Sequence, residues 1–294
     1  MYKFTIIIPT YNNAFYLKNA IESINNQTFA HENIQVLIVD DESIDNTKQV
    51  VDEWKNKTKL NIEYFYKKNN NWGSVINFVK SQNLAKGEYI TVLDADDTYL
   101  PNALECVNNL NKNYDLVIGD FYKKGNKIKF YVPTYSVFVK ETKNKIQAQT
   151  PFCIPLGKFL NNKLFYQLPE LKEKISYQDA IYTANAIYLA ESIYHIKKPM
   201  GIYNYKRIGN SMTKPWDNQR YRTEIEICLN LLKLDAQEIV AIHIMRNKFR
   251  KLLNQSMFSF KTNRKFKFKS LPMSYRWIMW IIFKLFLKKY FRQN

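Results

Sequence analysis

Apolar runs alternate with helix-patterned segments over roughly the first 95 residues, and this alternation restricts the fold more than any other feature of the chain. Lys3–Ile8, rich in isoleucine, reads as a strand that Pro9 ends, with Thr10, Tyr11, Asn12 and Asn13 as the turn. A helix follows on Phe15, Leu17, Ala20, Ile21 and Ile24. Ile34–Val39 is a second buried strand, and it runs into Asp40 and Asp41. A helix from about Asp45 to Asn56, strand Leu60–Tyr66, and a helix from Val75 to Ala85 come next, with Gly87 placed as a C-terminal stop. Strand Glu88–Leu93 then reaches three carboxylates, Asp94, Asp96 and Asp97. Strands in alternation with helices predict an α/β fold with a largely parallel, doubly wound sheet.

Right-handed crossovers bring the ends of such strands to one edge, where ligands of open α/β sheets sit. Pro9–Asn12, Asp40-Asp41 and Asp94–Asp97 are therefore expected to converge on one cleft. Clustered carboxylates repel one another unless a cation or hydrogen bonds hold them ionised. Asp-x-Asp over 94–96 offers the hard oxygen ligands that Mg²⁺ or Mn²⁺ takes, commonly shared with substrate phosphates. Plainer roles exist for the same residues. Asp97 or Thr98 suits the cap of a helix with Pro101 in its first turn, and Asp40-Asp41 suits a turn before a helix that Asp45 caps.

Several function classes are excluded. The seven glycines nowhere form a dinucleotide fingerprint, and no Gly-Lys-Ser/Thr phosphate loop or Gly-x-Ser-x-Gly elbow occurs. His31, His195 and His243 lack ligand spacing and read as surface or satisfied core residues. Cys106, Cys153 and Cys228 form no Cys-x-x-Cys pair, which argues against zinc or a disulfide framework and fits a reducing, cytoplasmic setting. Residues 1–10 lack the pattern of a signal peptide.

Beyond Pro101 the pattern gives a helix to about Asn111, strand Leu116–Tyr122, a turn at Lys123–Asn126 and a return strand Lys127–Val132. Residues 133–175 carry little periodicity, with loop and short helix over Pro151–Phe159. A helix starts near Ser176–Asp179, so Asp179 lies in a first turn, where the macrodipole favours a carboxylate. Ile193–Ile196 and Gly201–Tyr205 read as strands around Pro199, leading to Arg207 and the polar loop 209–214.

Residues 216–294 change character, which divides the chain into 1–215 and a helical region, 216–294. The formal net charge is +18, and residues 262–294 hold nine cations and no acids, half of the excess. Within them Trp277–Phe283 is wholly apolar and flanked by Arg276 and Lys284. An amphipathic helix over about 273–292, lying on an anionic membrane surface, fits this pattern. The same segment also suits packing on the core or on a second copy in a homo-oligomer.

The ordered segments Ile6-Ile7-Ile8-Pro9-Thr10-Tyr11-Asn12, Val39-Asp40-Asp41-Glu42-Ser43 through Thr47, Ala85–Ile90 and Leu93-Asp94-Ala95-Asp96-Asp97 resemble those of the family 2 GT-A glycosyltransferases. The likeness is good over 3–120 and looser over 170–215. It implies the GT-A fold, a nucleotide-diphosphate-sugar donor with UDP favoured, and Mn²⁺ or Mg²⁺. Thr10 and Tyr11, with Pro9 and Asn12 beside them and Asp40 or Asp41, would contact the nucleoside. Asp94 and Ala95 would lie by the ribose or donor sugar, and Asp96 would ligate the metal. The family's Asn-x-Gly falls on Asn71 and Gly73; its arginine in the same helix is Phe78 here, with Lys80 nearby. Its Glu-Asp at the catalytic helix is Gln178-Asp179, which keeps Asp179 as general base for inversion. Arg207 resembles the family's cation over the diphosphate.

The resulting expectation is a membrane-associated inverting glycosyltransferase, peripheral on the inner face of the cell membrane. Its acceptor would be a glycan precursor, lipid-linked sugar or wall polymer; a protein acceptor is the enzymatic alternative. A non-catalytic binder of nucleic acid or anionic polymer fits less well, because the strand-end cleft is acidic and the cations gather in the tail.

Overall fold

The computed structural model describes residues 2–125, 129–132, 154–176 and 178–205. The expectations for 133–153, for Arg207 and its loop, and for the whole region from 206 onward, the amphipathic tail included, lie outside the described residues.

Strands β1 (Phe4–Thr10), β2 (Ile34–Asp40) and β3 (Asn61–Tyr66) pair in parallel with β4 (Tyr89–Val92) in the order β3-β2-β1-β4. Every residue of β1 and β2 is buried, because both faces of the sheet are covered. Alternation divides their side chains between two cores. Phe4, Ile6, Ile8, Ile34, Val36 and Ile38 face α1 (Ala14–Asn25), α2 (Thr47–Lys55) and α4 (Ala103–Asn108). Ile7, Leu37, Val39, Ile90 and Val92 face α3 (Asn71–Ser81), α5 (Asn162–Gln167) and α6 (Gln178–Leu189). This is the α/β fold with a parallel core that the alternation predicts. Among the described residues no helix is long and apolar enough to cross a membrane.

The sheet continues as β4-β8-β6-β9-β5, with β7 (Lys129–Val132) on the outer part of β6 (Leu116–Lys124). Strand β8 (Lys158–Asn161) runs antiparallel between β4 and β6, where the sequence suggested loop and short helix. Its four residues contain a lysine and an asparagine, so strand character comes from two neighbours and not from pattern. The two segments around Pro199 are one strand, β9 (Ile193–Tyr203), parallel to β6, with register shifts around Asp120 that accommodate the proline. Two-residue β5 (Thr98–Tyr99) pairs with the end of β9.

Three local expectations are corrected. Pro9 does not end β1, which runs on through Thr10. Asp97 and Thr98 cap nothing: α4 begins after Asn102, and Asp97 accepts the Asn204 N–H at 2.8 Å. Gly87 is not a helix stop, since α3 ends at Ser81. A Cβ there would lie 2.4 Å from the Thr5 nitrogen, and the Gly87 N–H donates to Thr5 Oγ1 at 2.8 Å. Glycine lets the chain pass against β1 just before β4 begins. Gly87→Ala is expected to destabilise the fold by about 3 kcal/mol, the upper part of the overpacking range. A urea melt with an unchanged midpoint would refute this.

His195 is a core residue, one of the two placements its isolation in the sequence suggested. Its Nε2 lies 2.8 Å from Asp120 Oδ1, and both side chains are buried. Asp120 also accepts the Tyr131 hydroxyl, which raises the Tyr131 pKa to about 12, with burial contributing after that bond.

Candidate functional site

The carboxyl ends of β1, β2 and β4 open on one cleft together with the first turn of α6. Its lining includes Pro9, Thr10, Tyr11, Asp41, Asn71, Asp94, Ala95, Asp96 and Asp179. The strand ends foreseen as convergent thus do meet, and Asp179, distant in sequence, joins them. Asn13, Asn69, Trp72, Val75, Ile154, Ser176 and Tyr203 complete the lining, and sequence reasoning did not select them for the site.

Three expected residues among those described stand apart from that lining. Asp40 is 1% exposed and lies behind the cleft. Its Oδ1 accepts the Ser43 N–H at 2.8 Å and its Oδ2 the Tyr64 hydroxyl at 2.7 Å. Burial and then this bond push the Tyr64 pKa up. Asp41, one residue on, is the member of the pair that faces the cleft. Its Oδ1 receives Lys67 Nζ at 2.6 Å and the Asn70 N–H at 3.2 Å.

Asn12 acts as a splice between loops. With φ at 49°, it donates its N–H to Ser43 Oγ at 2.8 Å and accepts the Ile44 N–H on Oδ1 at 2.8 Å. The Ala14 N–H reaches Asp45 Oδ2 at 2.9 Å, and Asp45 Oδ1 accepts the Thr47 N–H at the start of α2. The β1–α1 and β2–α2 loops are bonded to each other on both sides of Asn13.

Gly73 shapes the cleft from behind. Helix α3 starts at Asn71 and not at Val75, so Asn71, Trp72 and Gly73 form its first turn. Asn71 adopts φ 69°, which asparagine tolerates better than most residues. A Cβ on Gly73 would meet the Lys172 carbonyl oxygen at 2.9 Å and Gln178 Cγ at 3.2 Å. Gln178 is 1% exposed, and its Oε1 accepts the Lys172 N–H at 3.2 Å. It holds the segment before α6 in place, while Asp179 beside it faces the cleft. Arg207 lies outside the described residues.

The Asp94–Asp97 turn closes through the Asp97 N–H to the Asp94 carbonyl at 2.9 Å. Carboxylate oxygens of Asp94, Asp96 and Asp97 lie within 4.8 Å of one another. Asp97 is buried and tied to Asn204, which fastens the end of β9 over the turn. Asp94 and Asp96 face the cleft. Tyr203, at the end of β9, has its pKa pushed up by burial first and then by Asp97, Asp179, Asp96 and Asp94. Its phenol therefore stays protonated in the physiological range, a hydrogen-bond donor amid acids.

Among the described residues the lining has four carboxylates and no lysine or arginine. Lys67 is engaged with Asp41, Ser74 and the Lys68 carbonyl. Phe78 packs edge-to-face on Phe65 at 5.8 Å, and Lys80 donates to the Leu168 carbonyl. Neither belongs to the lining, so the helix position where the resemblance expects an arginine contributes no cation to the cleft. A ligand anion in this half of the site would meet like charge, which a bound cation would offset. The paired acids suit a hard divalent ion, with Asp94 and Asp96 as the residues that would hold it.

Comparison with known proteins finds relatives in sequence and in fold. The sequence model described as glycosyl transferase family 2 matches residues 5–168. An uncharacterized glycosyltransferase of Mycoplasma pneumoniae is 46% identical over 292 residues, spanning 98% of this chain and 97% of that protein. The minor teichoic acid biosynthesis protein GgaB of Bacillus subtilis is 41% identical over 108 residues, 37% of this chain and 12% of its own length. Among solved structures, S. aureus TarS 1–349 in complex with UDP-GlcNAc aligns with a TM-score of 0.69 at 22% identity, over 97% of this chain and 81% of that one.

Proposed function

Because the chain belongs to glycosyl transferase family 2 and carries the GT-A fold, we propose that it moves a sugar from a UDP-sugar onto a hydroxyl of a cell-surface glycan precursor, with inversion and with a divalent cation. The observation that carries this reading is the meeting of Asp94 and Asp96 with Asp179 in one cleft, from elements more than 80 residues apart.

Asp179 takes the proton from the acceptor hydroxyl. The oxygen attacks the anomeric carbon from the face opposite the diphosphate. The bond from that carbon to the diphosphate oxygen breaks, and UDP leaves with the bonding pair. Pro9–Tyr11 and Asp41 hold the nucleoside at the ends of β1 and β2. Asp94 and Asp96 face the diphosphate. Mn²⁺ or Mg²⁺, when bound there, supplies the positive charge that the growing diphosphate anion needs.

A UDP donor is supported by the UDP-GlcNAc complex of the fold neighbour, and a wall or lipid-linked polymer as acceptor by the name of the GgaB relative. The basic, apolar sequence over 273–292 supports a place at an anionic membrane surface, on its cytoplasmic side. A thermal-shift and hydrolysis screen of UDP- and GDP-sugars, with and without Mn²⁺, tests the reading. One UDP-sugar is expected to stabilise the protein and to be hydrolysed slowly, only with metal, and the protein is expected to float with anionic vesicles. Silence toward every nucleotide sugar in both conditions would reduce Asp94–Asp97 to a structural turn.

A further inference from the structure

Trp72 makes two contacts that join the halves of the cleft. Its Nε1–H donates to Asp94 Oδ1 at 2.8 Å. Its ring meets Tyr182 edge-to-face, with centroids 5.6 Å apart and planes at 73°. Tyr182 lies three residues after Asp179 on α6, so the two share a helix face one turn apart. Tyr182 is buried, and among the described residues its hydroxyl has no hydrogen-bond partner. Packing holds that tyrosine, and the indole is part of the packing. The first turn of α3, which carries Trp72, is pressed onto the segment before α6 through Gly73.

We propose that Trp72 is a positioning residue for the transfer reaction: its indole N–H fixes the Asp94 carboxylate, and its ring sets that carboxylate against the turn of α6 that bears Asp179. The proposal rests on the donor reading given above, with Asp94 on the donor side and Asp179 on the acceptor side. A carboxylate with a free side-chain torsion would sample orientations that do not face the donor. A neutral N–H anchored in a half-buried ring removes that freedom without adding a charge to the cleft. A reacting pair held to near-attack distance loses much of its rate when one partner is displaced by about 1 Å. An indole that touches both sides is well placed to keep that distance.

The test separates the N–H from the ring. Site-specific replacement of Trp72 by benzothienylalanine keeps the bicyclic shape and the Tyr182 contact but has no N–H to donate. Trp72→Phe removes the N–H and trims the ring. Each variant is compared with wild type for melting temperature, for UDP affinity with Mn²⁺ by calorimetry, and for kcat/KM of donor hydrolysis. Loss of a hydrogen bond to a charged group predicts a fall of about 10- to 100-fold in UDP affinity or in kcat/KM for the isosteric variant, with its melting temperature unchanged. Trp72→Phe should fall at least as far. An isosteric variant within about two-fold of wild type in both quantities would overturn the proposal, leaving Trp72 a packing residue. Wild type that neither binds UDP nor hydrolyses any UDP-sugar would instead bring down the donor reading, and this proposal with it.

Discussion

Purified Asp179→Ala is expected to lose sugar transfer by about 10²- to 10⁴-fold, the usual contribution of a positioned general base, while UDP still binds. Asp179 sits in the first turn of α6 and faces the cleft. Its other service is to the helix dipole, worth about 0.3–1 kcal/mol at such a position, so the variant should melt within a few degrees of wild type. Separating the two effects needs both measurements on the same sample: transfer rate with saturating donor, and calorimetry with UDP. A drop in kcat with unchanged UDP affinity identifies a group that acts on the acceptor. Transfer near the wild-type rate would remove Asp179 as the base, and equal losses in UDP affinity and kcat/KM would move it to the donor side.

Asp96→Ala should act in the opposite sense. It is expected to lower UDP affinity in Mn²⁺ by about 100-fold or more and to leave affinity without metal unchanged, since a hard cation supplies several kcal/mol of charge stabilisation at a diphosphate. The loss comes with a second signature. Asp94, Asp96 and Asp97 bring carboxylate oxygens within 4.8 Å of one another, and removing one of three like charges relieves repulsion in the metal-free protein. The metal-free variant should therefore melt no lower than wild type, and Mn²⁺ should no longer raise its melting temperature. Retention of metal-dependent UDP binding by Asp96→Ala would rule Asp96 out as the ligand.

The first half of the fold was legible in the sequence because its strands are covered on both faces. Continuous apolar runs such as Ile6-Ile7-Ile8 and Ile34–Val39 stand out against polar surroundings, and the acids that end them mark the edge where ligands gather. Strand β8 was not legible. It borrows its conformation from β4 and β6, and Lys158 and Asn161 at its ends carry no strand signal. Gly87 misled for a related reason, since a glycine after a helix reads as a stop, and only the 2.4 Å approach to Thr5 shows its use.

The site divides in the same way. Asp41, Asp94 and Asp96 were marked by their place at strand ends, and Asp179 by the resemblance of Gln178-Asp179 to the family's catalytic helix. The choice between Asp40 and Asp41 was not available, because adjacent residues at a strand end point to opposite sides and nothing local says which side is the cleft. Trp72 was passed over between Asn71 and Gly73. Tryptophan is ordinarily core material, and the bond to Asp94 joins residues 22 apart in sequence. Gln178 had no role from pattern; its buried amide earns a place only once the Lys172 backbone is seen beside it.

The stitching of the β1–α1 loop to the β2–α2 loop bears on the thermodynamics of any ligand that binds beside it. Independent loops that close on a ligand surrender conformational entropy at that moment, about 0.5–1.5 kcal/mol for each mobile side chain that is immobilised. Here the Asn12, Ser43, Ile44 and Asp45 bonds have already restrained both loops during folding. The backbone segments that carry Tyr11 and Asp41 meet a ligand already restrained. A ligand that touches only these loops is then expected to bind with a smaller ordering cost than one that must close them.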